Sequence, residues 1–332
     1  MLIWIAFIIC TSVIVFSGTK LAKYGDIIAE KTGLGRAWIG LVLMASVTSL
    51  PELVTGISSV TFAGVPDIAA GDILGSCVFN ILLLALLDAS NRTQPLSVRA
   101  HHGHTLSAGF GIFLLAIVVI SLFLGDRIPA IGWIGLYTPL IIVLYLIAIR
   151  SIYFYEKNQM AALIKEAAVE LQYESITTRK AVVQYVINAA VVVISAIFLP
   201  QIGEAIAETT GLGQTFVGNI FIAVSTSLPE VVVSIAAVKL GAINLAVGNL
   251  FGSNIFNILI LGIDDIFFVK GPILSFVNQS HIIPGLSAIA MTSIAIIGLT
   301  YRAANKKLVL AWDSAGIVLM FVINLMLLYL LK

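Results

Sequence analysis

Apolar residues in this chain come in long blocks rather than in strict alternation or along one helical face. The blocks reach about 18 or more residues, enough to cross a ~30 Å hydrocarbon layer as helix. Ten are expected, at about 2–30, 37–62, 68–89, 105–124, 130–154, 181–207, 214–239, 243–268, 282–300 and 310–331. The pattern predicts an all-α polytopic membrane protein with no separate soluble domain. Lys20, Lys23 and Asp26 in the first block and Glu204 in the sixth imply long, tilted helices that emerge at the surface. The first block reads as a span rather than a signal peptide, because no basic stretch precedes it and its end is copied later in the chain. Connectors are short except at 155–180, where Glu156, Lys157, Lys165, Glu166, Glu170, Glu174, Arg179 and Lys180 predict a solvated linker helix.

Composition agrees with the pattern: 60% of the 332 residues are hydrophobic and 11% charged, against ~25% charged in soluble domains. A net charge of +1 leaves no basic face for nucleic acid. Cys10 and Cys77 lie in apolar blocks without a CxxC partner and read as core thiols. Charge placement gives orientation. The loops after odd-numbered spans collect all Lys and Arg except Arg127, Lys270 and Lys332. Those loops are therefore cytoplasmic and both termini lie outside, in a multi-pass protein of the plasma (inner) membrane.

An internal duplication carries the most information. Thr32 to Glu52 (TGLGRAWIGLVLMASVTSLPE) and Thr210 to Glu230 (TGLGQTFVGNIFIAVSTSLPE) share 11 of 21 positions without a gap. A second block repeats as GSCVFNIL at 75–82 and GSNIFNIL at 252–259. Two units of five spans follow, residues 1–154 and 181–332, joined by the linker at 155–180. An odd number of spans per unit inverts the second copy and puts a site at the midplane between them.

Within the apolar interiors, Glu52 and Glu230 are the acids placed well away from span ends, at the same repeat position. A mid-membrane carboxylate costs at least ~2–3 kcal/mol and is functional by default. No Lys or Arg aligns with either, so a transported cation supplies the missing charge. On a continuous helix Thr48 and Ser49 share the face of Glu52, as Thr226 and Ser227 share that of Glu230. Pro51 and Pro229 should bend each helix and free carbonyls near Val47 and Ser225. Ser76 with Asn80, and Ser253 with Asn257, stand at i and i+4 and add neutral oxygens. An all-oxygen cage suits Ca²⁺ or Na⁺ and offers no His or thiolate for zinc or copper. Ser76 and Ser253 have a second reading, as hydroxyls that bond to their own helix or join neighbouring helices.

TSLPE twice, each followed about two dozen positions later by GSxxFN, resembles the alpha repeats of the sodium/calcium exchanger branch of the calcium/cation antiporter superfamily. The resemblance implies a ligand set of Ala45 and Ala223 (through their carbonyls), Thr48, Ser49, Glu52, Ser76, Asn80, Thr226, Ser227, Glu230, Ser253 and Asn257. It also implies exchange of Ca²⁺ for Na⁺ by alternating access, with the first and sixth spans sliding across the rest. No cofactor is expected; the ions are substrates and the bilayer is the partner. Asn257 stands where such exchangers commonly carry Asp, so two formal charges remain, enough for one Ca²⁺ or two Na⁺.

Three other readings are weighed. A Ca²⁺/H⁺ antiporter would load protons on the glutamates, although the GNxxE-like motifs usual in proton-coupled relatives are absent. A cation channel would commonly be a ring of subunits, whereas one chain supplies both halves here. No HExxH or GxSxG motif supports an intramembrane hydrolase, and no enzymatic activity is expected. Asp72, Asp88, Asp264 and Asp265 fall near span ends, where acids usually meet water or a helix terminus, with an ion vestibule as the second reading. His101, His102 and His104 read as part of a solvated connector. Gly35, Gly40, Gly213 and Gly218 suit either helix sliding or close packing.

Overall fold

The computed structural model describes residues 2–32, 45–90, 94–163, 176–239, 243–302 and 310–331. Along the chain, α1 spans Leu2–Thr32, α2 Ala45–Thr48 and α3 Leu50–Ser58, with a π-helical turn at Ser59–Ala63. Then come α4 (Pro66–Ser90), α5 (Leu96–Arg99), α6 (His104–Leu124), the strands β1 (Ala130–Ile131) and β2 (Ile134–Gly135), and α7 (Tyr137–Leu163). The later part holds α8 (Thr178–Ile197), α9 (Leu199–Thr210), α10 (Gln214–Val217), a π-helical turn at Gly218–Ile222, α11 (Ala223–Thr226), α12 (Leu228–Lys239), α13 (Ile243–Phe267), α14 (Ile282–Tyr301) and α15 (Trp312–Leu330). Among the described residues, eight helices are long and apolar enough to cross a membrane, or nine if the bent pair Gln214–Thr226 and Leu228–Ile235 is one span. The chain is a multi-pass membrane protein.

Helix ends follow local chemistry. Gly64 at φ 70° closes the π turn after α3, and Pro66, which needs no N–H partner in a first turn, opens α4. The expected fifth span, 130–154, starts late. Gly132 at φ 64° makes the tight turn of an antiparallel hairpin over residues 130–135, and helix begins only at Tyr137. The sixth is broken at Phe198, just before Pro200. Helix α7 runs into the expected linker as far as Leu163 and α8 starts at Thr178; residues 164–175, and residues 33–44 with Gly35 and Gly40, lie outside the described residues.

Two apolar cores form. The larger joins α4, α6, α7, α13, α14 and α15 through side chains such as Leu74, Leu115, Ile141, Phe251, Met291 and Ile317. The smaller unites Ile14 of α1 with Ala196 and Leu199 beside the α8–α9 break, together with Ile68, Val217 and Ile222. At the centre, α4 lies against the π turn of residues 218–222 backbone to backbone. A Cβ on Gly71 would meet the Gly218 Cα at 2.9 Å, and one on Gly75 would collide with the Asn219 carbonyl oxygen. Gly218 is thus a packing residue, whereas a Cβ on Gly213, at φ 75°, would meet nothing within 4 Å.

Candidate ion-binding site

Both TSLPE motifs break their helices at the serine two residues before the proline. Ser49 sits at φ −86°, ψ 13° and Ser227 at φ −86°, ψ 5°, each between a short helix and the next one, which starts at Leu-Pro. The missing N–H of Pro51 and Pro229 explains the interruption, and the second motif bends by 41°.

The break changes which residues meet. On an unbroken helix Ser49 would stack on Glu52. In the structure the Ser49 hydroxyl instead donates to Glu230 Oε1 at 3.1 Å, and Ser227 donates to Glu52 Oε1 at 2.9 Å. Each motif's serine serves the other motif's glutamate. Ser76 donates to Glu52 Oε1 and Ser253 to Glu230 Oε1, both at 3.5 Å, and Ser227 Oγ also lies 2.8 Å from Ser76 Oγ. The Ala223 carbonyl accepts from Ser76 at 3.5 Å and Thr226 at 3.2 Å; that of Ala45 accepts from Thr48 at 3.3 Å, and Thr48 also hydrogen-bonds Glu230.

Glu52, Glu230, Thr48, Ser49, Ser76, Asn80, Thr226, Ser227, Ser253 and Asn257 are all buried. Glu52 Oε2, Glu230 Oε2, Asn80 Oδ1 and both amide atoms of Asn257 have no hydrogen-bond partner. Buried polar atoms are normally satisfied, so a set of unsatisfied ones around two carboxylates calls for a ligand. Among the described residues no Lys or Arg is buried to supply a counter-charge. The two halves of the second block meet where Asn80 Nδ2 donates to Asn254 Oδ1 at 3.1 Å and Asn254 Nδ2 to the Cys77 carbonyl at 3.1 Å. Cys77 is fully buried at that crossing, as expected of a core thiol.

Two of the four aspartates depart from expectation. Asp72 and Asp264, expected to meet water or a helix terminus, are both fully buried. Helix α4 begins at Pro66, which carries Asp72 well inside it, where Oδ1 accepts from Thr226 at 2.7 Å. Asp264 packs against Gly56, one turn past Glu52, and neither of its oxygens has a partner. Asp88 and Asp265 do meet chain termini of other elements, but inside the protein. Asp88 accepts the N–H of Leu96 (2.8 Å) and Ala311 (2.9 Å). Asp265 accepts the N–H of Ile273 (2.7 Å) and Gly135 (2.9 Å), and the Thr138 hydroxyl (2.6 Å).

These clasps obey the second block's offset of 177: Asp88 and Asp265 each bind the N–H eight residues on. The same offset pairs His104, Nε2 at 3.3 Å from Asn244 Oδ1, with His281, Nε2 at 2.9 Å from Asp67 Oδ1. His104 is therefore a buried joint rather than part of a solvated connector, while His101 and His102 are exposed. Extending the repeat alignment beyond GSxxFN would have exposed both pairs.

Comparison with known proteins places the chain in a family. Inner membrane protein YrbG of Escherichia coli is 28% identical over 250 residues, 75% of this chain and 74% of that one. Sodium/calcium exchanger MaX1 of Methanosarcina acetivorans is 30% identical over 145 residues, 43% of this chain and 39% of that one. Two solved structures share the fold. The sodium-calcium exchanger NCX_Mj, soaked with Na⁺ and Sr²⁺, aligns with TM-score 0.60 at 20% identity over 97% of each chain. The H⁺/Ca²⁺ exchanger CAX aligns with TM-score 0.71 at 13% identity over 98% of this chain and 82% of that one. The family profile described as sodium/calcium exchanger protein matches residues 2–151 and 180–330, in both halves of the duplication, and the chain belongs to that family of cation antiporters.

Proposed function

We propose that the chain exchanges Ca²⁺ for Na⁺ across the plasma (inner) membrane, the two ions competing for the cage between the TSLPE motifs. The carrying observation is the pair of buried, unpartnered carboxylate oxygens, Glu52 Oε2 and Glu230 Oε2. Buried carboxylates without a protein cation are costly, and a hard cation held by oxygens relieves that cost. Ligands in this reading are the side chains of Thr48, Ser49, Glu52, Ser76, Asn80, Thr226, Ser227, Glu230, Ser253 and Asn257, with the carbonyls of Ala45 and Ala223. Ten spans in two inverted units, 1–154 and 181–332, put both termini outside.

Alternating access is supported by the smaller core, in which α1, α8 and α9 pack on one another and on Ile68 of α4 and the residues Val217 and Ile222, apart from the larger core of the bundle. Sliding of these helices past the bundle exchanges those contacts and leaves the larger core closed. An empty cage with two ionised glutamates is costly to move through the bilayer, so only neutralised states cross, which makes exchange obligatory. A proton-coupled version is favoured by Asn257, which leaves fewer fixed charges for sodium. Radioactive calcium uptake by proteoliposomes decides between them: an outward sodium gradient should drive it and a pH gradient should not. Glu52→Gln and Glu230→Gln should each abolish flux in folded protein, and wild-type flux in both would overturn the cage.

A further inference from the structure

The inverted duplication is not electrically symmetric. Aligned at 177, Asp72 faces Asn249 of the other copy and Asp264 faces Leu87, while Gly56, aligned at 178, faces Ser234. One side of the glutamate pair, toward the turns at 64–65 and 268–281, thus carries two buried acids, and the other side carries none at the matching positions. Asp72 Oδ1 is held by Thr226, but its Oδ2 and both oxygens of Asp264 have no partner, and both residues are 0% exposed. Asp72 lies within coulombic range of Asp264, Glu52 and Glu230. Asp265, the other acid near Asp264, is already taken up by its clasp. Among the described residues no buried Lys or Arg compensates these charges, and no three Asp, Glu, His or Cys side chains converge on one point.

We propose that Asp72 and Asp264 form a second cation position for a sodium ion, beyond the glutamate cage on the side of the 64–65 turn, a position the opposite side lacks. Three unpartnered carboxylate oxygens supply hard ligands. The bare backbone of Gly56 gives Asp264 its place, since a Cβ there would collide with the carboxylate. Thr226 links the position to the cage, because its hydroxyl bonds Asp72 while its neighbour Ser227 bonds Glu52. The position raises the sodium capacity of a site that Asn257 leaves with two glutamate charges.

This rests on the sodium/calcium reading, and the test separates the two. Purified full-length protein in proteoliposomes is assayed for sodium-driven calcium flux and for calcium self-exchange without sodium. The variants are Asp72→Asn and Asp264→Leu, which each copy the residue of the other repeat, and Asp72→Glu, which keeps the charge. In the first two, half-saturating sodium should rise about tenfold, the Hill coefficient for sodium should fall, and sodium-driven flux should drop several-fold more than self-exchange. Asp72→Glu should recover much of the sodium response. Unchanged sodium curves in both neutral variants, equal losses of both fluxes, or a shifted pH profile with an unchanged sodium curve would each overturn the position. Wild-type flux indifferent to sodium overturns the parent reading before any variant is made.

Discussion

The Ser49 hydroxyl reaches 3.1 Å across the repeat boundary to Glu230 rather than along its own motif to Glu52, and Ser227 returns the contact to Glu52. The two halves are therefore joined through the groups that would hold the ion. Moving one half against the other has to exchange these bonds.

The crossed pairing predicts crossed energetics. In a double-mutant cycle on calcium affinity or thermal stability, Ser49→Ala should couple to Glu230→Gln by about 1–3 kcal/mol, as for hydrogen bonds to charged groups. Its coupling to Glu52→Gln should be smaller, and Ser227→Ala should show the mirror pattern. Larger coupling within each motif than between motifs would contradict the geometry.

Close backbone contact between α4 and the 218–222 turn predicts steric intolerance. Gly75→Ala places a methyl into the Asn219 carbonyl, and overpacking of this kind costs about 1–3 kcal/mol. Gly109 of α6 has nothing within 4 Å of an added Cβ, so Gly109→Ala should be neutral or stabilise by up to about 1 kcal/mol through helix propensity. Melting temperatures in detergent measure both, and equal values would count against this interface.

The aspartate clasps predict a loss of stability rather than of ion selectivity. Asp265 accepts from Gly135, Thr138 and Ile273 and from the Tyr137 hydroxyl. Asp265→Asn turns an NH₂ toward donors and should lower stability by about 2–4 kcal/mol, while the folded fraction keeps its ratio of sodium-driven flux to calcium self-exchange. A changed ratio would make Asp265 part of the ion path.

Hydrophobic blocks and the duplicated motifs made the helices and the two glutamates legible, because both rest on local rules: length against bilayer thickness, and the cost of a buried charge. Partners across the repeat were not legible. A 3.6-residue period assumes an unbroken helix, and Ser49 and Ser227 leave helical geometry just before their prolines. Distance from a span end was also a poor guide to burial. Asp264 is three residues from the end of α13, yet neighbouring helices enclose it. Asp88, Asp265, His104 and His281 were within reach, since the repeat offset of 177 pairs them beyond GSxxFN.

Calcium should stabilise the wild type and leave Glu230→Gln unchanged. Without ions, the wild-type cage holds two carboxylates with unpartnered oxygens and no buried Lys or Arg among the described residues. Replacing one of them by a neutral amide removes part of that uncompensated charge. Ion-free Glu230→Gln is therefore expected to melt at or above the ion-free wild type. Added calcium stabilises whatever it binds in the folded state, by about 2.7 kcal/mol at a hundred times the dissociation constant. The wild type should gain that increment and Glu230→Gln should not, so the order of melting temperatures reverses as calcium is added. Melting curves with a chelator and with millimolar calcium test this directly. A variant that melts far below the wild type in chelator would show that Glu230 holds the fold together through Ser49 rather than waiting for an ion.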